Sequence, residues 1–319
     1  MTNYDIIGDI HGQFQKLEGL LHHLGYQEVD GAFRKEGHTA VFVGDLIDRG
    51  SGQLKVLQTV KAMVDAESAL CVMGNHEFNA LAYSTLKNPK DPAGKVDFCR
   101  PHTAKNRHQH EAFLALDPPI RDEWLQWFRS LPLWLDLPDL RVVHACWHEP
   151  SMEIVKEELG GAHFTSNDQI RSASDKDHPL YLAVEILLKG PEIDLESLGL
   201  PEFLDKGDVK RSNARITWWL EHHQESLHLF QGAGAIQLDA EQFNVVTKAM
   251  APYTYSGQQP LFFGHYWQEH SDEMRHATYG KNAACVDFSA GKTGELTAYR
   301  YKVGQKIALE HYDKVPKRS

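Results

Sequence analysis

Short apolar runs recur along this chain, and each ends in a glycine or a polar residue able to bind a metal. Residues 4–7 run into Gly8-Asp9, residues 39–43 into Gly44-Asp45, and residues 69–73 into Gly74-Asn75. Residues 140–143 before His144 and residues 261–263 before Gly264-His265 repeat the design. Runs this short, rich in β-branched and aromatic residues, predict strands. Phe14, Leu17, Leu21 and Leu24 recur at helical spacing, and Gly25 follows as a C-cap; Leu54, Leu57, Val60 and Val64 mark a second helix. Strand and helix alternating in this way predict right-handed crossovers and a largely parallel α/β sheet. Ligands of such sheets gather beyond the carboxyl ends of the strands, where the polar clusters fall.

The pattern changes between residues 150 and 260. Helices are expected near 180–188 and 214–223, with few strand signals, so this stretch is expected to be a helical insertion in a single domain spanning 1–319. The tail returns to strand pattern at 284–288, 295–301 and 307–312, which predicts antiparallel strands completing a second sheet.

The 319 residues are 42% hydrophobic and 24% charged, an ordinary globular balance. A net charge of -11 argues against a chain that holds nucleic acid by neutralising its phosphates. It does not exclude phosphorylated substrates, because bound cations would supply attraction locally. Cys71, Cys99, Cys146 and Cys285 form no C-x-x-C pair and read as buried thiols. Asp5 and Asp9 interrupt any signal-like N-terminus, and no apolar run is long enough to span a bilayer, so a cytoplasmic location with no membrane partner is expected.

Asp9 and His11 sit on alternate positions just past a strand, where an extended backbone points both side chains the same way. Asp45 can bridge two cations through its two carboxylate oxygens, Asn75 offers a neutral carbonyl oxygen, and His144 and His265 each offer an imidazole. This mixed nitrogen and oxygen set, free of thiolate, suits Mn, Fe, Zn, Co or Ni better than Mg or Ca. A Gly-Asp turn alone is usually only a turn, and a lone strand-end histidine is more often a core residue. Five such clusters at five strand ends together point to a centre holding two divalent metal ions, with manganese expected first. The many other histidines, including His22, His23, His102, His108, His110, His222 and His223, read as solvated surface.

Gly8 to Gly12 (GDIHG), Gly44 to Gly50 (GDLIDRG) and Gly74 to Glu77 (GNHE) resemble the calcineurin-like metallophosphoesterase superfamily. The Asp48-Arg49-Gly50 ending is similar to the branch with serine/threonine protein phosphatases and symmetrical diadenosine tetraphosphatases. The resemblance implies a four-layer α/β/β/α sandwich with the metals between the sheet edges. It assigns Asp9, His11 and Asp45 to one ion, and Asp45, Asn75, His144 and His265 to the other. His76 corresponds to the histidine that protonates the leaving group, Asp48 to the carboxylate that orients it, and Arg49 to a phosphate clamp. Asp287 and residues 296–301 resemble the closing β segment.

Two cations sharing a water would lower its pKa and set hydroxide in line with the bond to be broken, so no phosphoenzyme is required. Met73 before GNHE, Ala145-Cys146-Trp147 after His144, and Tyr266 after His265 depart from the protein-phosphatase pattern, and the insertion resembles elaborated bacterial members. These departures favour a small or exposed phosphomonoester as substrate over a folded phosphoprotein. The alternative is a nucleoside polyphosphate of the diadenosine tetraphosphate type, for which Lys189, Arg211 and Arg215 would reach extra phosphates and Trp218 or Trp219 would stack on a base. Surface charge and core aromatics are the commoner roles of such residues. A catalytically silent binding module would show gaps in the ligand set, and this chain has none; a nuclease would carry a basic stripe.

Overall fold

The computed structural model describes residues 3–90, 94, 96–200, 202–204, 210–220, 229–231, 238–268 and 282–315. Its main strands are β1 (Asn3–Ile7), β2 (His38–Phe42), β3 (Ala69–Cys71), β4 (Trp134–Asp136), β5 (Arg141–Val143), β6 (Leu261–Phe263), β7 (Ala283–Cys285), β8 (Thr297–Lys302) and β9 (Tyr312–Lys314). One sheet runs β9-β8-β1-β2-β3 and the other β7-β6-β5-β4. All five apolar runs that precede a candidate ligand are strands.

Register explains why their ends matter. β1, β2 and β3 are parallel, with Ile7 opposite Phe42 and Phe42 opposite Cys71. Their carboxyl ends are therefore level. In the second sheet β5, β6 and β7 are also parallel, with Phe263 opposite both Val143 and Cys285. Whatever follows these strands emerges along one edge of each sheet.

Alternation of side chains decides what each face covers. Ile6, Val41, Val43 and Val72 from the first sheet share a buried cluster with Val142, Phe262, Ala284 and Val286 from the second. Ile7, Ala40, Phe42 and Cys71 point the other way, into the core that takes in the helices. Helix α1 (Phe14–His23) buries Leu17, Leu20 and Leu21, and α2 (Gln53–Asp65) buries Val56, Leu57, Val60 and Met63. Neither begins on a side-chain cap. Burial holds them instead, at roughly 1.5–3 kcal/mol for each large side chain removed from water. Helix α1 ends where expected, with Gly25 at φ +90 just beyond it.

Helix α3 (Asn75–Ser84) leaves β3 directly, and α4 (Pro118–Ser130) packs against it. Between 150 and 260 the helices are α5 (Glu149–Leu159), α6 (Asn167–Ser174), α7 (Pro179–Lys189) and α8 (Ala240–Met250). The helix expected at 214–223 is absent from its described part. Asn213–Arg215 is instead a strand paired with Glu192–Asp194, and Ile216 bridges to Phe230. β-branched Ile216 suits its bridge, Leu220 N–H then closes a turn on the Thr217 carbonyl at 3.1 Å, and Trp218 within that turn packs 4.7 Å from the ring of Phe263. Residues 221–223 lie outside the described residues. A second hairpin pairs Phe203–Leu204 with Lys210–Arg211, so the stretch is mixed rather than purely helical.

The tail also departs from expectation. β7 joins the second sheet, but in parallel with β6, whereas β8 and β9 are antiparallel strands of the first sheet. Residues 309–311 form a short 3-10 helix, and the last strand begins only at Tyr312. Among the described residues no helix is long and apolar enough to cross a membrane.

Phe262 joins the two sheets, fully buried with its ring 5.0 Å from Tyr299 and 5.5 Å from Tyr301. Phe262→Ala should cost about 3–5 kcal/mol of stability in denaturant unfolding, and Phe262→Leu far less. Equal costs would show that the sheets do not depend on filling this space.

Candidate metal centre

The loops that leave β1, β2 and β3 are pressed together, and their backbones are strained to allow it. His11, Asp45, Asp48 and Arg49 after β1 and β2, and His265 after β6, all have positive φ, between 49 and 71. Such conformations disfavour side chains and persist only where surrounding contacts impose them. One imposed contact is visible at Asp45, whose carbonyl accepts from the N–H groups of Ile10 (3.1 Å) and His11 (2.8 Å). Another is the approach of Gly44 to Gly74, where a Cβ on Gly44 would stand 2.4 Å from the Gly74 nitrogen.

Glu77 holds these loops in place. Fully buried in the first turn of α3, it accepts from Asp45 N–H and Gly74 N–H through Oε2 (2.9 Å each). Through Oε1 it accepts from Leu46 N–H (2.9 Å) and Ile47 N–H (3.3 Å). Burial and the neighbouring Asp45 carboxylate push its carboxyl up to about 7.

Around this brace the six expected ligands converge. Asp45 directs Oδ1 towards His144 Nε2 at 3.4 Å, and Oδ2 towards His11 Nε2 at 3.6 Å. Asn75 Oδ1 lies 3.1 Å from His144 Nε2, and the His265 backbone N–H donates to Asp9 Oδ2 at 3.1 Å. Gly264 makes that approach possible, since a Cβ there would stand 2.1 Å from Asp9 Oδ1. His11 Nδ1 donates to the Ile47 carbonyl (3.0 Å) and His144 Nδ1 to the Val43 carbonyl (2.7 Å). A carbonyl only accepts, so both rings carry their proton on Nδ1 and turn the Nε2 lone pair inward, as a metal ligand must.

Two compact groups result, His11-Asp45-His76 and Asp45-His144-His265, and they share Asp45. Asp9 stands outside both groups, its carboxylate accepting from the His265 backbone N–H. His76 comes into the first, its Nε2 3.8 Å from Asp45 Oδ2 while its Nδ1 donates to Asp48 Oδ2 at 2.5 Å.

The protonation pattern suits cations. Burial pushes His11 down to about 3, and it also lowers His144 and His265, the last with help from Arg215, so these imidazoles are neutral. Burial works to raise Asp45, and attraction to the surrounding rings, in so far as they are protonated, works against it and holds the carboxyl below its usual range. Burial, then Asp287 and Asp45, push Asp9 well up, and burial takes Asp287 up to about 6. Crowded carboxylates among neutral imidazoles are the complement of a divalent cation. His76 behaves differently: burial lowers it, but Asp45 and Asp48 more than compensate and raise it.

Arg49 is exposed at the rim, with Gly291 against its side chain and against His11. The remaining cations divide. Lys189 pairs with Glu185 on its own helix, and Arg211 is exposed on a hairpin strand, which are surface roles. Arg215 comes to the centre: Nη1 donates to His265 Nε2 and Nη2 to Glu192 Oε1, each at 2.8 Å. Its surface reading is thereby corrected, because the paired strands Glu192–Asp194 and Asn213–Arg215 carry it inward. Trp218 and Trp219 are buried core residues. Among the histidines read as surface, His22, His23, His102 and His108 are exposed, but His110 is buried and lies 2.8 Å from Asp48; His222 and His223 lie outside the described residues.

The sequence model of the calcineurin-like phosphoesterases matches residues 3–195, more than half of the chain. The chain belongs to the calcineurin-like phosphoesterase family. Its mixed α/β fold is that of the metallophosphoesterases, a family that uses divalent metals. An asymmetrical bis(5'-nucleosyl)-tetraphosphatase of Oceanobacillus iheyensis is 28% identical over 142 residues, which cover 44% of this chain and 54% of that protein. A symmetrical bis(5'-nucleosyl)-tetraphosphatase of Vibrio cholerae is 32% identical over 145 residues, 46% of this chain and 44% of that protein. The match thus spans about half the length of these relatives. A serine/threonine phosphatase structure from Saccharomyces cerevisiae superposes with a TM-score of 0.48 at 14% identity, covering 98% of this chain and 78% of that one.

Glu77→Gln replaces an acceptor-only carboxylate with an amide whose NH2 must face backbone donors. Hydrogen bonds to charged groups contribute about 1.5–3 kcal/mol each, so the variant should lose about 3 kcal/mol or more in denaturant unfolding and bind metal poorly. Wild-type stability and metal content together would show that the loops hold their shape without it.

Proposed function

We propose that this calcineurin-like phosphoesterase is a two-metal hydrolase of nucleoside polyphosphates. The observation that carries the reading is Asp45, whose two oxygens face separate histidines across a buried centre. Asp9, His11 and Asp45 would hold one cation, and Asp45, Asn75, His144 and His265 the other, with manganese the expected metal and Fe, Zn, Co or Ni compatible. Such a pair acidifies water and offsets phosphate charge. His76, raised by Asp45 and Asp48 against the effect of its burial, would donate to the departing oxygen while Asp48 fixes its ring.

Two observations favour the polyphosphate substrate over the phosphomonoester that motif departures suggest. The relatives named above are tetraphosphatases. Arg215 gives the centre a second guanidinium besides Arg49, matched to a substrate with several charged phosphates. On this reading the whole chain is one domain, with residues 150–260 an insertion that carries Arg215, and its layers are α/β/β/α. Buried free thiols at Cys71, Cys146 and Cys285 fit a cytoplasmic setting.

The test compares diadenosine tetraphosphate with p-nitrophenyl phosphate, using apo protein reloaded separately with Mn, Fe, Ni, Zn and Mg. The tetraphosphate should be turned over with at least about tenfold higher kcat/KM; parity or the reverse order would restore the phosphomonoester reading. Arg215→Met should raise KM for the tetraphosphate about tenfold or more, the equivalent of one charge-assisted hydrogen bond, and affect the aryl ester less. Identical effects on both substrates would remove Arg215 from polyphosphate binding.

A further inference from the structure

The residue that supports the proton-donor pair lies far from every motif. Asp48 is fully buried, and its Oδ2 faces two imidazoles: His76 Nδ1 at 2.5 Å and His110 Nδ1 at 2.8 Å. Its backbone N–H is tied to Gln53 Oε1 at 2.9 Å, but this fixes only the chain. The φ of +71 at Asp48 and +68 at Arg49 shows a strained turn, which does not by itself favour one orientation of the carboxylate. Oδ1 has no hydrogen-bond partner among the described residues, and His110 Nδ1 meets Oδ2 as a close ion-pair contact rather than as an aligned hydrogen bond. The orientation of the carboxylate therefore depends on what grips Oδ2.

His110 is placed for that grip. It sits at the junction of two short helices, Ala104–Gln109 and Glu111–Leu114, with its N–H bonded to the Asn106 carbonyl at 3.2 Å. Its side chain is 1% exposed. Tyr83 approaches its ring edge-on at 5.6 Å, and the His76 ring lies 6.4 Å away at 77°. A core histidine serving only packing has no need of an ionised carboxylate at 2.8 Å. Asp48 carries one, since contact with His110 and His76 outweighs burial and lowers its carboxyl.

We propose that His110 is a positioning residue that holds Asp48 in the orientation by which it aims His76 at the leaving group. Without it, Oδ2 loses one of the two imidazoles in close contact with it, and the carboxylate is freer to turn about its terminal bond. His76 would then lose both its ring orientation and the partner of its Nδ1 proton. The inference rests on the role proposed above for His76.

The test uses the metal-loaded full chain and two aryl esters of similar size, phenyl phosphate, whose leaving group needs a proton, and p-nitrophenyl phosphate, whose leaving group does not. His76→Asn should lower kcat selectively on phenyl phosphate, within the roughly 10²–10⁴ range of proton donation. His110→Gln keeps volume and polarity but puts its amide nitrogen where Nε2 was. It should lose about tenfold or more on phenyl phosphate and less than about threefold on p-nitrophenyl phosphate, with KM and metal content unchanged. His110→Asn, whose amide nitrogen matches Nδ1, should recover most of the loss. Equal losses on both esters, or no difference between the Gln and Asn variants, would overturn the role of His110 while that of His76 stands. Loss of selectivity in His76→Asn itself would overturn both.

Discussion

One buried carboxylate organises the centre of this molecule. Glu77 takes four backbone N–H groups from two loops that leave two different strands. Those donors cannot pair within a strand or helix, because their segments turn away from both sheets. Leaving them unpaired in a dry interior would cost roughly 1–3 kcal/mol each. Glu77 removes that cost and also fixes the separation between Asp45, which follows β2, and Asn75 and His76, which follow β3. The strained φ values at Asp45 and its neighbours are tolerable because this bonding determines the loop from outside.

The sheets supply the second constraint. Level carboxyl ends in each sheet, and an inner layer of Ile6, Val41, Val142 and Phe262 between them, bring two sets of loops face to face. Side chains from separate strands then bond across the gap, as His144 does to the Val43 carbonyl and the His265 amide does to Asp9. The ligand positions are consequences of packing more than of any local preference.

Charge balance follows from that geometry. Burial neutralises the imidazoles and raises Asp9, Asp287 and Glu77, so the centre holds more carboxyl groups than it can leave ionised without a cation. Arg215 meets this excess from outside through its bonds to His265 and Glu192, and Arg49 stands at the rim. Crowded carboxylates with guanidinium groups beside them are the charge pattern on which the two-metal proposal rests.

Much of this was legible in the sequence. The strands before Gly8, Gly44, Gly74, His144 and Gly264 are local features, set by a few consecutive apolar residues and a turn, and so are the first two helices. The six candidate ligands could be read for the same reason, because each directly follows its strand. What lies beyond reach of local pattern was decided by the tertiary structure. The tail strands pair with β1 and β6 according to which edges are open, and the same apolar alternation fits either sheet. Residues 216–219 give up a helical spacing for a bridge and a turn, with Trp218 packed against the buried Phe263. Arg215 is one of three cations of the insertion that could face phosphates, and His110 is one histidine among nineteen, so nothing local singles out either. Only contacts made across 50 and 62 residues, with His265 and Asp48, set them apart, and such contacts exist only once the chain has folded.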